Sequence, residues 1–285
     1  MKKKITANFF WSGGEISIYE YCCIKSFINN KFNVNVYSFE SLKLPNGANL
    51  KDASTILKKN QINKFIHNGK IGCLAAFADK FRIALLKKNK DNWWFDADVL
   101  CLRNAAYFQE LEKNNSNIIG LENKNEVNNA ILKISDSQLL NIIYNQIIKR
   151  GYILKWGDIG PKLLTSILKK NNNFNKSFPQ SYFYPINYNN FKYLILPKFL
   201  NEAEDLCKKS YTTHNYNQIF TRFCIPKNIL PPKGSFLNKY FLSNCPELRK
   251  VESLPERTAE RLLDKQNGFK ENLFDLIPSF LRSFR

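Results

Sequence analysis

The chain has 285 residues, 44% hydrophobic and 14% aromatic, which excludes a disordered polymer and suffices for one large domain or a catalytic domain with an appendage. No apolar run approaches the roughly 18 residues of a membrane span, and the basic opening MKKKITANFFWSGG, broken by Thr6 and Asn8, lacks a signal peptide's apolar core and cleavage site. A net charge of +19 predicts attraction to anions, whether nucleic acid, anionic lipid or phosphorylated small molecules.

The lysines are spread along the chain, and the short clusters at Lys2 to Lys4, at Lys87, Lys88 and Lys90, and at Lys169 and Lys170 read as solvated surface. Seven cysteines fall at no metal-ligand spacing, and an odd count argues against a disulfide framework. Cys22, Cys73 and Cys101 lie in apolar patterns and read as small buried hydrophobes, so a reducing, cytoplasmic compartment is expected.

In chain order, residues 4–11 (KITANFFW) read as a strand and Ser12-Gly13-Gly14 as a turn. Ile18, Tyr21, Cys22, Lys25 and Ile28 recur at helical spacing from Glu15 onward. Residues 32–39 read as a second strand, so the start is a βαβ unit and implies a parallel sheet. Leu44 to Gly47 is a turn, and Asp52 caps a short helix through Leu57. Residues 73–88 (CLAAFADKFRIALLKK) form the best-marked helix, basic in its last turn. A short strand then ends at Asp96 and Asp98. Residues 117–120 and 129–134 read as strands and 137–149 as an amphipathic helix. Another helix opens at Gly157-Asp158-Ile159-Gly160-Pro161, with Asp158 as N-cap. Residues 183–186, 193–196 and 211–214 look extended, and the pattern is helical again from Pro255. No internal repeat or linker forces a domain boundary.

The stretch WWFDADVLCL (93–102) carries the chemistry. Two carboxylates at i and i+2 beside a strand end suit a hard divalent cation, Mg²⁺ or Mn²⁺, whose remaining ligands come from water and a substrate's phosphates. Asp-x-Asp alone is a weak motif. Its place between apolar WWF and VLCL strengthens it, because a solvated turn does not ordinarily sit between two buried strands.

The run AAFADKFRIALLKKNKDNWWFDADVLCL resembles the core block of the DXD-containing sugar transferases. That superfamily includes the family 32 glycosyltransferases and the glucosylating domains of large clostridial toxins. FFWSGGEIS, NNAILK, WGDIGPKLLT and YTTHNYNQ resemble further segments of the same enzymes, in the same order, over roughly residues 5–220.

The resemblance implies a GT-A fold, an α/β Rossmann-like mixed sheet flanked by helices. Here that would be a catalytic domain over 1–228, followed by a mostly helical extension over 229–285. It implies a nucleotide-sugar donor, UDP-sugar favoured, and Mn²⁺ or Mg²⁺. In that reading Trp11 offers a ring face to the base, with core anchoring as the alternative, and Gly13 and Gly14 let backbone approach the nucleotide. Asp79, one helical turn before Arg82, binds ribose hydroxyls, and Arg82 lies beside the nucleotide or sugar. Asp98 is the direct metal ligand, and Asp96 contacts ribose, sugar or metal. His214 completes the metal site, with Asn215 as a substitute. Asn129 and Asp158 hold the donor sugar or the acceptor hydroxyl, Asp158 being otherwise only a cap. His67 has no such context and reads as a surface residue.

The family's glycine pair before the Asp-x-Asp is replaced by NKDN, so a longer hairpin is expected there. Trp93 and Trp94 are then either drawn toward an acceptor groove or split, one in the core and one exposed. The acceptor implied is a glycan or a lipid-linked glycan of a bacterial surface, with retention at the anomeric carbon. The tail LFDLIPSFLRSFR either contacts the inner membrane face peripherally or packs on the catalytic domain. Two rivals stand beside this reading: an effector that glycosylates a protein, and a non-enzymatic basic protein binding nucleic acid or membrane. The second leaves the ordered motifs without a purpose, so no nucleic-acid partner is expected.

Overall fold

The computed structural model describes residues 5–264 apart from 68, 90 and 91. The cluster at Lys2 to Lys4, Lys90 and the LFDLIPSFLRSFR tail lie outside the described residues. Strand β1 (Thr6–Phe10), helix α1 (Ile18–Asn29) and strand β2 (Asn33–Ser38) form the expected βαβ unit, with β1 and β2 parallel. The sequence caps α1 where it begins. Ser17 Oγ accepts from the Tyr19 N–H, and Glu20 reaches back to the Ser17 N–H at 3.0 Å. Strand β3 (Ala48–Asp52) adds a parallel edge where only a turn and a cap were expected. Four of its five residues are exposed, so backbone pairing rather than burial makes it a strand and no alternation reveals it.

Strands β4 (Ile66–His67) and β5 (Lys70–Ile71) and helix α2 (Leu74–Lys88) lead to β6 (Trp93–Phe95), which lies parallel to β1. Then come β7 (Val99–Cys101), α3 (Ala105–Asn114), β8 (Asn117–Asn123) and β9 (Glu126–Ile134), with β9 antiparallel to both β6 and β8. The outcome is a six-stranded mixed sheet in the order β3-β2-β1-β6-β9-β8.

Helices cover both faces of its parallel half, and strand alternation decides what each receives. Phe9 packs on Phe27 of α1 at 5.1 Å between ring centroids, and Phe10 on Phe81 of α2 at 4.5 Å. The same rule buries all of WWF. Trp93 and Phe95 face the α1–α3 side beside Phe108, and Trp94 faces α2. Neither tryptophan is exposed or in a groove, which corrects the expectation: this central strand is covered by helices on both faces. The hairpin expected before β6 falls between Lys88, where α2 ends, and Trp93, and its residues 90 and 91 lie outside the described residues.

Helix α4 (Ser137–Arg150) is amphipathic as expected, β10 (Ile153–Leu154) joins β4 and β5 in a small second sheet, and α5 (Pro161–Lys170) packs on the α2 side. Asp158 is not the N-cap of α5. Gly160 holds that position before Pro161, while Asp158 Oδ2 accepts from the Lys155 N–H at 2.7 Å and closes a turn. The stretches 183–186 and 193–196 are not extended either. Helix α6 (Gln180–Phe183) ends on the first residue of one, leaving 184–186 as an irregular segment with Tyr184 and Ile186 fully buried, and helix α7 (Lys192–Ile195) takes up the other as far as Ile195. Short apolar runs read equally as strand or helix; here Asn187 accepts from the N–H groups of Asn189 and Asn190 and starts a helical turn.

Helix α8 (Leu200–Cys207) leads to the expected late strand β11 (Thr212–His214), antiparallel to β7 with His214 opposite Val99. Helices α9 (Asn217–Arg222), α10 (Phe236–Asn244) and α11 (Glu256–Asp264) make the C-terminal part helical, and Phe241 of α10 packs edge-on to Tyr19 of α1. All seven cysteines are free; Cys22 and Cys101 are buried, whereas Cys73 is only half-buried at the start of α2. Among the described residues no helix is long and apolar enough to cross a membrane.

Candidate metal and donor site

The turn Asp96-Ala97-Asp98 joins two different sheets, which explains carboxylates between buried strands. The Asp96 N–H donates to the Ala130 carbonyl of β9 at 2.8 Å, while the Asp98 carbonyl accepts from the Asn215 N–H just past β11 at 3.0 Å. Each aspartate is thus pinned to its own sheet, and the motif is held at the seam. His214 arrives from β11 with Nε2 3.2 Å from Asp98 Oδ1. Ligand atoms of Asp96, Asp98 and His214 all lie within 4.8 Å of one another.

The three groups are tuned apart. Burial alone would raise the Asp98 carboxyl, but His214 and the Asn217 N–H, 2.8 Å from Oδ2, outweigh it and hold Asp98 down at about 2. Burial raises Asp96 to about 6 against the pull of Arg82, with Asp98 adding repulsion. Burial also works against charging His214, yet Asp98, Asp96 and Glu122 together raise its pKa. His214 Nδ1 is buried and has no hydrogen-bond partner among the described residues. Two carboxylates and an imidazole form a donor set that suits Mn²⁺ or Mg²⁺. Asn215, the suggested substitute ligand, is fully buried and gives its amide N–H to Cys23 Sγ at 3.1 Å.

Beside this cluster, Arg82 on α2 lies between two carboxylates. Its guanidinium is 3.1 Å from Asp79 Oδ1 and 3.0 Å from Asp96 Oδ1, and it also donates to the Asn129 carbonyl. Asn129 Nδ2 donates to Asp79 Oδ1 at 2.7 Å, and Trp94 Nε1 to Asp96 Oδ1 at 2.7 Å. Asp79, Arg82, Asp96 and Asn129 therefore form one connected group. Asp158 is bonded elsewhere: besides its contact with Lys155, its carbonyl accepts from Arg150 at 2.7 Å. Trp11 is half-buried at the end of β1, its Nε1 donating to the Gly14 carbonyl at 2.9 Å. Gly13 and Gly14 both have φ +104°, a conformation that leaves little choice but glycine.

The α5 start closes the wall in an unexpected way. A Cβ on Gly160 would stand 2.4 Å from Asp79 Oδ2, so glycine is there for close approach. Gly160→Ala should displace Asp79, loosen its pairing with Arg82 and destabilise the protein by about 1–3 kcal/mol, read as a lower denaturation midpoint with unchanged slope.

Several participants carried little or no signal in the sequence. Glu20 is fully buried and bonded to Lys227 Nζ at 2.6 Å; Asn217 gives its side-chain N–H to Glu20 and its backbone N–H to Asp98. Lys227 Nζ also lies 5.9 Å from the centroid of Trp11. Only the α1 capping box marks Glu20, and nothing local marks Lys227. Lys227→Met strips Glu20 of its cation and should cost about 2 kcal/mol, below the range for wholly buried pairs because Lys227 is partly solvated; thermal unfolding measures it. Glu122, raised by burial and bonded to Asn128 at 2.7 Å, is a third carboxylate beside His214. His67 is half-buried rather than superficial, and its Nε2 has no partner among the described residues.

Residues 150–251 match the model of the alpha 1,4-glycosyltransferase conserved region. They span β10, α5, β11 and His214. No curated protein matches the chain in sequence. Solved structures that resemble it include the PaToxG glycosyltransferase, 12% identical over 58% of this chain and 68% of that one with a TM-score of 0.40. Another is the bifunctional glycosyltransferase WbbM in its apo structure, 11% identical over 93% of this chain and 52% of that one, at 0.45. The segment similar to the alpha 1,4-glycosyltransferase conserved region contributes His214, and the fold brings Asp98 to within 3.2 Å of it from 116 residues away, so the candidate metal site joins a glycosyltransferase-like segment to the Asp-x-Asp turn.

Proposed function

We propose that the protein moves a sugar from a nucleotide-sugar donor, UDP-sugar favoured, to a glycan or lipid-linked acceptor, with Mn²⁺ or Mg²⁺ at Asp96, Asp98 and His214. The convergence of those three side chains carries the reading. A divalent ion bound there supplies positive charge against the diphosphate leaving group. The residues supply the rest. Asp98, held at about 2, stays ionised at neutral pH, so ligation costs no proton loss. Arg82 pairs with both Asp79 and Asp96, opposing the rise that burial gives each carboxyl, and fixes both carboxylates. In this reading Asp79 accepts from ribose hydroxyls, Trp11 stacks on the base, and Gly13 and Gly14 let the nucleotide approach. Asn129 orients Asp79 and lines the sugar side; Asp158 is kept as a candidate for the acceptor hydroxyl.

Retention at the anomeric carbon follows from the resemblance, as do surface-polysaccharide or lipopolysaccharide synthesis and a site at the cytoplasmic membrane face. Residues 1–228 are the catalytic unit in this reading, and 229–285 the extension. The test is nucleoside diphosphate release from UDP-, GDP-, CMP- and ADP-sugars with and without Mn²⁺. Turnover of one nucleotide class only with the metal is expected. Metal-independent turnover, or none from any donor, would contradict the proposal.

A further inference from the structure

The small sheet of β10, β4 and β5 has an unusual outer face. Its register sets Ile153 opposite Ile66 and Ile66 opposite Ile71, so three isoleucines form one row pointing to one side. The next row begins with Leu154, which is buried in the core beneath with Phe65, so the isoleucine row is the outward one. Ile153 is 80% exposed and Ile71 72%, more than any other large hydrophobic among the described residues. Trp156, just beyond β10, is exposed, with Lys162 Nζ 5.5 Å from its ring centroid.

The same two segments are strongly basic. Residues 58–72 and 149–162 contain eight lysines or arginines, of which Lys59 pairs with Glu40 at 2.8 Å, and a single acidic residue, Asp158, whose carboxylate is already engaged by the Lys155 N–H. Basic charge alone would suit any polyanion, and apolar area alone any protein partner. β-branched apolar side chains and an indole inside a basic frame suit a surface that pairs with anionic headgroups while seating apolar groups at the acyl boundary.

We propose that this face docks on an anionic lipid bilayer. It is distinct from the C-terminal tail, and it does not depend on the metal-site reading. Its place is informative. β5 runs into α2, which carries Asp79 and Arg82, and the segment after β10 runs to Gly160, which abuts Asp79. Docking here would hold the donor-side group beside the bilayer, where a lipid-linked acceptor is presented.

Co-sedimentation of the full chain with vesicles of equal parts phosphatidylglycerol and phosphatidylcholine, against phosphatidylcholine alone, tests it. Wild type should partition at least tenfold better onto the anionic vesicles, and less as salt rises. The double variant Ile71→Ser/Ile153→Ser should lose at least tenfold of that partition. Lys155→Glu/Lys162→Glu should lose about fivefold per lysine. Both should melt within a few degrees of wild type, since all four side chains are at the surface. Absence of binding to anionic vesicles, equal binding to neutral ones, or an isoleucine variant that binds like wild type would overturn the proposal. The last result would leave net charge or residues 265–285 as the membrane-binding element.

Discussion

Arg82→Ala is expected to lower stability by about 3–5 kcal/mol, a fall in melting temperature on the order of 10 °C for a chain of this size. The side chain is nearly fully buried and is the one cation within 3.1 Å of both Asp79 and Asp96 among the described residues. Removing it leaves two desolvated carboxylates facing each other's neighbourhood, a cost far above that of losing a surface ion pair. The loss should depend on pH with a definite sign. Burial already raises Asp79 and Asp96 above their ordinary 3.8, Asp96 to about 6, and Arg82 is what restrains both. A raised carboxyl gives stability that is present at low pH and is lost as pH rises through its folded value. Without Arg82 both values climb further, so the deficit should be larger at pH 8 than at pH 5. Arg82→Lys keeps the charge but not the planar fork that spans two carboxylates, and should recover only part of the loss. Melting curves of the three proteins at both pH values, with chelator present, decide it. An equal deficit at both pH values would mean that Arg82 matters through packing against Trp94 rather than charge.

Asp98→Asn is expected to have the larger functional effect. The amide can still accept from the Asn217 N–H through its oxygen, so the seam between β7 and β11 should hold. Its second position now presents a donor, where the carboxylate offered a second anionic oxygen. Even partners of metal ligands cost about 10–100-fold when removed, so loss of a ligand should weaken metal binding at least about a hundredfold and donor turnover with it. Titration of Mn²⁺ against either protein, followed by paramagnetic relaxation of water protons, measures the first effect without reference to activity. Equal affinities would remove Asp98 from the metal site.

Features of this fold are legible in the sequence where they are local. The βαβ start, α2 and the Asp-x-Asp were legible because capping residues, helical periodicity and a charge pair between apolar runs are all written within a dozen residues. His214 was legible only through the order of motifs. The strand β3 and the sheet of β4, β5 and β10 were not, since β3 is mostly exposed and two-residue strands are too short for alternation to show. The burial of both Trp93 and Trp94 follows from helices on both faces of β6, a tertiary fact with no local mark. The Glu20–Lys227 pair spans 207 residues and shows only in three dimensions.

The most direct test of the central claim is thermal unfolding of wild type and Asp98→Asn with a saturating nucleotide sugar, with and without Mn²⁺. A donor at about a hundred times its dissociation constant adds roughly 2.7 kcal/mol, a rise of roughly 5–10 °C here. That rise is expected for wild type with metal, and none without metal or in Asp98→Asn. A rise that survives both changes would place donor binding elsewhere and contradict the assignment of Asp96, Asp98 and His214.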